Sequence, residues 1–408
     1  MKALAIIVEG LGTSLVGAYG SAMATTPAID RLAAQSLVLD QCFIDTFELR
    51  SQQRSLWTAT HAQTHCSAPW SLWQYLRERG VSGRLITDCQ MTADAASQWG
   101  CPQVTLVKVP SADLPAESVE ECRLAHVFAA AMDEIAMPET TGLVWVHARG
   151  LKHAWDAPLD LRQAMTDPED PTPPAEVCVP ALAVDEQTDP DEVVGWGQVA
   201  AAQVVVLDEA IDALLQALHA REDHAEWTIL LSSTGGTPLG EHGYVGQARQ
   251  AAYSEEMAVP AMIRPSDRLA VGIRRAELCQ LADLPVTLLA AAGVDCRELS
   301  ALWGRNLLDV GPPLRSTQWS PEHTVAWLEH QGSTWIRTPA WSWLQNAAGE
   351  SQLFVKPDDR WEVSDIANRQ VDVVNIFSGL ASQIREITQR GARGELPKLD
   401  DQLTDLVR

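Results

Sequence analysis

The chain is short of basic side chains, of phenyl rings and of any long apolar run. It has 30 Lys and Arg against 54 Asp and Glu in 408 residues, a formal net charge of −24. A surface of that sign repels phosphate backbones and anionic headgroups, so neither nucleic acid nor a membrane is expected as a partner. The same charge keeps a folded chain in solution. No apolar run approaches the length of a membrane span. Five Phe and four Tyr stand beside 15 Trp, so most aromatic packing must fall to indoles. The eight cysteines (Cys42, Cys66, Cys89, Cys101, Cys122, Cys178, Cys279 and Cys296) include no Cys-x-x-Cys pair. They read as scattered, reduced, mostly buried thiols rather than a disulfide framework or a zinc site. No signal peptide is visible. Met1-Lys2 leads into an apolar stretch over residues 3–8, too short for a secretory core and closed by Glu9-Gly10, which makes the cytoplasm the expected compartment. No internal repeat and no low-complexity tract appears.

What is present is an ordinary globular composition, 46% hydrophobic and 21% charged, long enough for one large α/β domain and a smaller one. Residues 3–8 read as a central strand buried on both faces. Thr26-Pro27 opens a helix, with Thr at the cap and Pro at the first helical position, and Ile29, Leu32 and Ala33 form its apolar stripe. Further strands are expected over 37–39, 84–87, 104–109, 143–147 and 227–231, and helices over 51–60 and 198–221. A Pro- and acid-rich excursion covers 166–192. After Pro312-Pro313 come short β-like pieces at 323–328, 334–337, 341–345, 352–355 and 361–363, then a helix over 371–389. The expected fold class is α/β: a mostly parallel central sheet with helices on both faces, plus a small C-terminal antiparallel sheet. The expected division is 1–311 for the large domain, 312–391 for the sheet and its helix, and 392–408 for a polar tail.

Residues 232–243 read Ser-Ser-Thr-Gly-Gly-Thr-Pro-Leu-Gly-Glu-His-Gly directly after an apolar run. This resembles the metal-site strand and loop of the sulfatases, in the alkaline phosphatase superfamily, with Gly236, Leu239, Gly240, Glu241, His242 and Gly243 in register. The opening resembles the same family through Val8-Glu9-Gly10-Leu11, Val16-Gly17-Ala18-Tyr19-Gly20 and Thr26-Pro27-Ala28-Ile29-Asp30-Arg31-Leu32-Ala33. Weaker echoes at Trp155-Asp156-Ala157-Pro158, at 206–212, 259–265 and 283–294, and in the C-terminal pieces extend the resemblance over nearly the whole chain. It implies the family's fold and a divalent cation that polarises the ester. It also implies a formylglycine nucleophile made from Cys or Ser in Cys-x-Pro-Ser-Arg, and cationic side chains for the developing charge.

The residues that would carry this chemistry are changed. At the metal positions the chain has Glu9, Gly10, Thr234 and Gly235, which is one carboxylate where Ca²⁺ wants six to eight oxygens. At the nucleophile, alignment on Arg54 places Arg50 where Cys or Ser belongs, and a shift by one places Leu49 there. An Arg50 guanidinium occupying the cation's space is one expectation; a surface Arg50 is the other. Lys152, with His153 beside it, takes the position of a family His, and Ser342 that of a family Lys. His242 is read as shaping its loop. No catalytic residue is therefore expected, and Glu9, Gly10, Arg50, Ser51, Arg54, Lys152, His153, Thr234 and Gly235 are vestigial positions. No cofactor is expected, with Ca²⁺ or another divalent cation entering only if the altered site retains affinity.

This reading leads to three functions. One is a sulfatase-like protein that binds or scaffolds without hydrolysing. A second is a diverged sulfuric- or phosphoric-ester hydrolase with a non-standard nucleophile such as Ser51 or Thr46, although Ser51 also suits a helix cap. The third is a subunit that pairs with a protein partner or with itself through Trp335, Trp341 and Trp343, which equally fit one buried face of a strand.

Overall fold

A computed structural model describes residues 1–65, 70–247, 249–266, 272–299, 302–308, 325–390 and 396–404. The first apolar run forms β1 (Lys2–Val8), whose residues after Lys2 are all buried. Among the described residues, β1 is joined in one nine-stranded sheet by β2 (Leu37–Phe43), β3 (Gly83–Thr87), β4 (Gln103–Leu106), β5 (Gly142–Ala148), β7 (Thr228–Ser233), β9 (Ala258–Val259), β10 (Ala261–Arg264) and β11 (Ile273–Gln280). The order is β11-β2-β10-β7-β1-β5-β3-β4, with β9 beside β2. β1 pairs in parallel with β5 and β7, and β3 with β4 and β5. The antiparallel β10 sits between β7 and β2. A ribbon of β6 (Ala181–Ala183) and β8 (Tyr244–Gly246) lies apart.

Helices cover both faces because side chains alternate along each strand. Leu4, Ile6 and Val8 pack on one side against α1 (Pro27–Ala34), α5 (Arg123–Ala136) and α7 (Pro190–His219). Ala3, Ala5 and Ile7 face α2 (Leu49–Thr58), α3 (Leu72–Glu78), α4 (Gln90–Gln98) and α9 (Asp283–Ala291). On that side Trp57, Trp73 and Trp145 meet edge to face at 5.9, 6.0 and 6.1 Å between centroids. The short helices α6 (Leu159–Gln163) and α8 (Ser254–Met257) lie in loops at the strand ends. α7 begins earlier than the sequence predicts, because Asp189 accepts the Asp191 N–H at 3.0 Å and Pro190 occupies the first helical position. Among the described residues no helix is long and apolar enough to cross a membrane. The Tyr19 hydroxyl is buried where β2 and β10 part. It accepts the Ala261 N–H at 2.8 Å and faces the carbonyls of Ala261 and Leu39 at 3.1 and 3.2 Å.

The second sheet is antiparallel, with β12 (Ala326–His330), β13 (Ser333–Arg337), β14 (Trp341–Gln345) and β15 (Ser351–Val355) in that order. α10 (Val371–Gln389) crosses it, and its Phe377 ring stacks on Trp343 at 5.6 Å. α11 (Asp401–Thr404) comes last. Trp335, Trp341 and Trp343 are all buried, which removes them as an exposed interface. The strand expected at 361–363 is not one: Glu362 takes a left-handed φ of +56° and turns its side chain inward, while Trp361 and Val363 stay exposed. The boundary expected at 311/312, the start of the piece at 323 and parts of the 392–408 tail fall outside the described residues.

His242 pins the large domain to this sheet. Its Nδ1 lies 2.8 Å from Glu255 Oε1, its Nε2 lies 3.0 Å from the Glu362 carbonyl, and its ring stacks on Tyr253 at 3.7 Å. Both ring nitrogens face acceptors, an arrangement that favours the doubly protonated ring. Burial by itself lowers the pKa, but the hydrogen bonds to Glu255 and Glu362 outweigh it and the net shift is upward. A raised folded-state value means the contact stabilises fully below the ordinary His range and is lost as pH rises through the folded value. His242→Asn, which tolerates the φ of +47°, is expected to lower stability by about 1–2 kcal/mol near pH 6 and by less at pH 8.5. Urea unfolding at the two pH values measures this, and an equal loss at both would contradict it.

Candidate functional site

Val8 lies opposite Ala148 on one side and Ser233 on the other. The next residues, Glu9, Arg149 and Thr234, therefore leave the sheet at one level, at the carboxyl ends of three parallel strands. That is where open α/β sheets place their sites.

Glu9 is buried, and its Oε1 lies 3.1 Å from His147 Nε2 at the end of β5. His147 is fully buried, and its Nδ1 has no hydrogen-bond partner among the described residues. Gly10 has φ +86°, and a Cβ there would stand 2.9 Å from Thr237 Oγ1. The Thr237 hydroxyl in turn donates to the Gly10 carbonyl at 2.9 Å. The exit of β7 is equally particular. The Ser233 hydroxyl donates to the Gly235 carbonyl at 2.8 Å, and Gly235 has φ +127°. A Cβ on Gly236 would sit 1.9 Å from the Glu255 carbonyl. The Gly236 N–H donates to the Glu256 carbonyl at 2.9 Å. Gly10 and Gly235 thus lie where a side chain is strained by conformation, and Gly236 where one is excluded by space.

Lys152 comes after β5 in the turn Gly150–Lys152, half-buried, and its Nζ donates to the Gly236 carbonyl at 2.7 Å. Burial pulls its pKa down to about 8, against the attraction of Glu256 and Glu9. Glu256 in α8 is buried and accepts the N–H groups of Gln250 and Ala251 at 2.9 and 3.3 Å. Burial raises it to about 7, opposed by those bonds and by Lys152. His153 is half-buried, and its Nδ1 accepts the Ala154 N–H at 2.8 Å. Burial first, then Arg149 and Arg123, depress it to about 4, so its ring is neutral at pH 7.

The nucleophile segment forms the first turns of α2. Arg50 is exposed there and does not occupy a cation's space, because the inward face of the helix is set by Gln52, Gln53, Leu56 and Trp57. Ser51 is the third helical residue rather than the cap, and its hydroxyl donates to Glu48 Oε2 at 2.7 Å. Arg54 points away from the strand ends, to the carbonyls of Ala62 and Thr64. Gln52 reaches the site instead, donating to the carbonyls of Thr46 at 2.7 Å and Thr234 at 2.9 Å. Ser342 is buried in β14 and accepts the Trp335 indole N–H at 3.0 Å.

Of the positions singled out in the sequence, the structure brings Glu9, Gly10, Lys152, Thr234 and Gly235 to the strand ends, with His153 beside Lys152, while Arg50 is exposed, Ser51 is bonded to Glu48 and Arg54 to the carbonyls of Ala62 and Thr64. His147, Gln52 and Glu256 belong to the strand-end cluster and were not singled out. The helical period of α2, anchored on Leu56 and Trp57, points Gln52 inward. Nothing local in the sequence marks Glu256. Among the described residues no three His, Cys, Asp or Glu side chains converge as a metal-holding group.

No family model matches the chain, and no curated protein sequence does. Solved structures do. A phosphonate monoester hydrolase of Agrobacterium radiobacter superposes with a TM-score of 0.72 at 15% identity, covering 95% of each chain. The phosphonate monoester hydrolase of Silicibacter pomeroyi gives 0.71 at 13%, covering 98% of this chain and 100% of that one. A 2-O glycosaminoglycan sulfatase gives 0.69 at 13%, covering 99% and 96%. The chain therefore has the fold of sulfatases and phosphonate monoester hydrolases.

Proposed function

We propose that this protein has kept the sulfatase fold and given up the reaction, acting as a binding or scaffolding protein with a degenerate site. The observation that carries the reading is the donor set at the ends of β1, β5 and β7. A Ca²⁺ ion takes six to eight oxygens. The cluster offers the Glu9 carboxylate, already held by His147, the Glu256 carboxylate, already taken by the N–H groups of Gln250 and Ala251, and an ammonium from Lys152 bonded to the Gly236 carbonyl. Gly10 and Gly235 supply no side chain, and their positive φ values resist one. These residues do not fit a divalent cation. The nucleophile position supports the same reading, since neither Leu49 nor Arg50 can become formylglycine, and the groups of such a site work as a unit whose partial loss is not additive.

Elemental analysis of the purified protein should find well under one equivalent of Ca²⁺, Mg²⁺, Mn²⁺ or Zn²⁺ per chain. Aryl sulfates, phosphate monoesters and phosphonate monoesters should not turn over. A stoichiometric metal, or hydrolysis abolished by Glu9→Gln, would end the reading.

One contact favours a second reading, a diverged ester hydrolase with an unusual nucleophile. Ser51 Oγ donates to the Glu48 carboxylate at 2.7 Å, so a hydroxyl and a base stand together at the start of α2. If any turnover is found, Ser51→Ala should leave it unchanged under the main reading of this contact as structural. A loss of 100-fold or more, on the order of removing a general base, would assign it to catalysis.

A further inference from the structure

We infer that Cys42 and Cys279 form a disulfide site, at which oxidation fastens the edge strand β11 to its neighbour β2. The eight cysteines show no paired spacing in the sequence. The fold nevertheless sets these two in register, as directly opposed Cα partners of a parallel strand pair. Neighbouring strands run about 4.8 Å apart, inside the Cα separation of about 4.4–6.8 Å that a disulfide spans. In-register residues of a parallel pair point to the same face, and both side chains belong to the apolar cluster shared with α2 and α9. The Cys279 thiol leans toward β2, donating to the carbonyl of Gln41, the residue before Cys42, at 3.6 Å. Among the described residues no other cysteine lies in a strand.

Both thiols are fully buried and free in this structure. Burial, and after it the hydrogen bond with the Cys42 thiol, pushes the Cys279 pKa well above the ordinary thiol range. The closed site therefore holds two inert thiols, and access comes from the topology. β11 is the edge of the nine-stranded sheet and pairs with β2 alone. Its ladder is already irregular between Arg275 and Leu278, just before Cys279. An edge strand has one unpaired side and opens at lower cost than a central one. With β11 lifted, one thiolate attacks a sulfur of a small-molecule disulfide and releases one thiol. The second cysteine then displaces the other half and closes the bond. The two cysteines lose two electrons and two protons between them, and the small disulfide becomes two thiols.

The residues beside the cysteines carry the joint with the C-terminal sheet. The Gln280 amide donates to the carbonyls of Ile44 at 3.2 Å and Trp327 at 2.8 Å, and accepts the Trp327 N–H at 3.2 Å. The Phe43 ring lies 5.1 Å from that of Trp335. A bond between Cys42 and Cys279 thus fixes the two strands on which that sheet is seated. This role concerns the assembly of the fold and stands apart from whether the strand-end site turns over an ester.

The test holds the full chain in oxidised glutathione just below its melting temperature, where edge strands open, and then maps its peptides without reductant. A peptide joining Cys42 to Cys279, lighter by two hydrogens than its separate halves, is expected. The cross-linked protein should melt about 5 °C or more above the reduced one, because the bond closes a long loop in the unfolded chain. A dithiol reductant should reverse the rise, and Cys279→Ala should abolish it. Should Cys279→Ala not fold, the parent protein decides alone. The assignment would be overturned by the absence of the linked peptide, by Cys279 found joined to glutathione or to another cysteine instead, by a cross-linked protein that melts no higher than the reduced one, or by a rise that persists in Cys279→Ala.

Discussion

Three parallel strands buried on both faces leave the chain one place to put a polar group. Along β1, β5 and β7 nearly every side chain lies against helices, and the main-chain donors and acceptors are used by the sheet. A charge set within those strands would meet only hydrocarbon. At the carboxyl ends the helices fall away and loops begin, and there Glu9, Lys152, Thr234 and the glycines around them collect. The site is a consequence of the sheet. The register that aligns Val8, Ala148 and Ser233 also aligns the residues just beyond them.

The occupant of such a place is then decided by electrostatics. Acidic groups at the ends of parallel strands need a positive charge, and an ion from solution or a side chain of the protein can supply it. The two solutions differ in kind. A divalent ion brings open coordination positions on which chemistry can occur. An ammonium on a short turn brings three hydrogen-bond donors and no open position. Gly10 and Gly235, with φ values of +86° and +127°, lie where a side chain is strained, so that placing ligand side chains at those two positions would require remaking the loops as well.

Much of the architecture was legible in the sequence. The six apolar residues before Glu9, the Thr26-Pro27 helix start and the long stripe of α7 each come from local rules, and the alternation at Trp341 and Trp343 marked a strand, although Ser342 between them is buried as well. The glycine frame around Gly236 and Gly240 located the loop after β7. The cluster itself was only half legible. Glu9 and Lys152 stood at recognisable positions, but Glu256 lies in a one-turn helix more than a hundred residues from Lys152, and no spacing rule links them. Arg50 misleads because its charge suits a cation's place, whereas the helical period turns it outward once Leu56 and Trp57 are taken as inward. Residues 361–363 looked like a strand from their Trp and Val, whereas the inward carboxylate of Glu362 and its bonds to Ser254 and Lys356 set a turn. That is a tertiary demand which local propensity does not contain.

Tyr19 carries a consequence for how the cleft can open. Its hydroxyl takes the place of a missing rung between β2 and β10, meeting a donor and two acceptors that would otherwise be stranded where the strands diverge. The segment that brings Tyr19 there is the same one that leads away from Glu9, and it is riveted to the sheet some ten residues later. The wall of the cleft built from that segment is consequently stiff. The opposite rim is tied too, the Leu151 N–H of the turn after β5 donating to the Glu9 carbonyl at 2.9 Å, so the cleft meets a guest in the shape it already has.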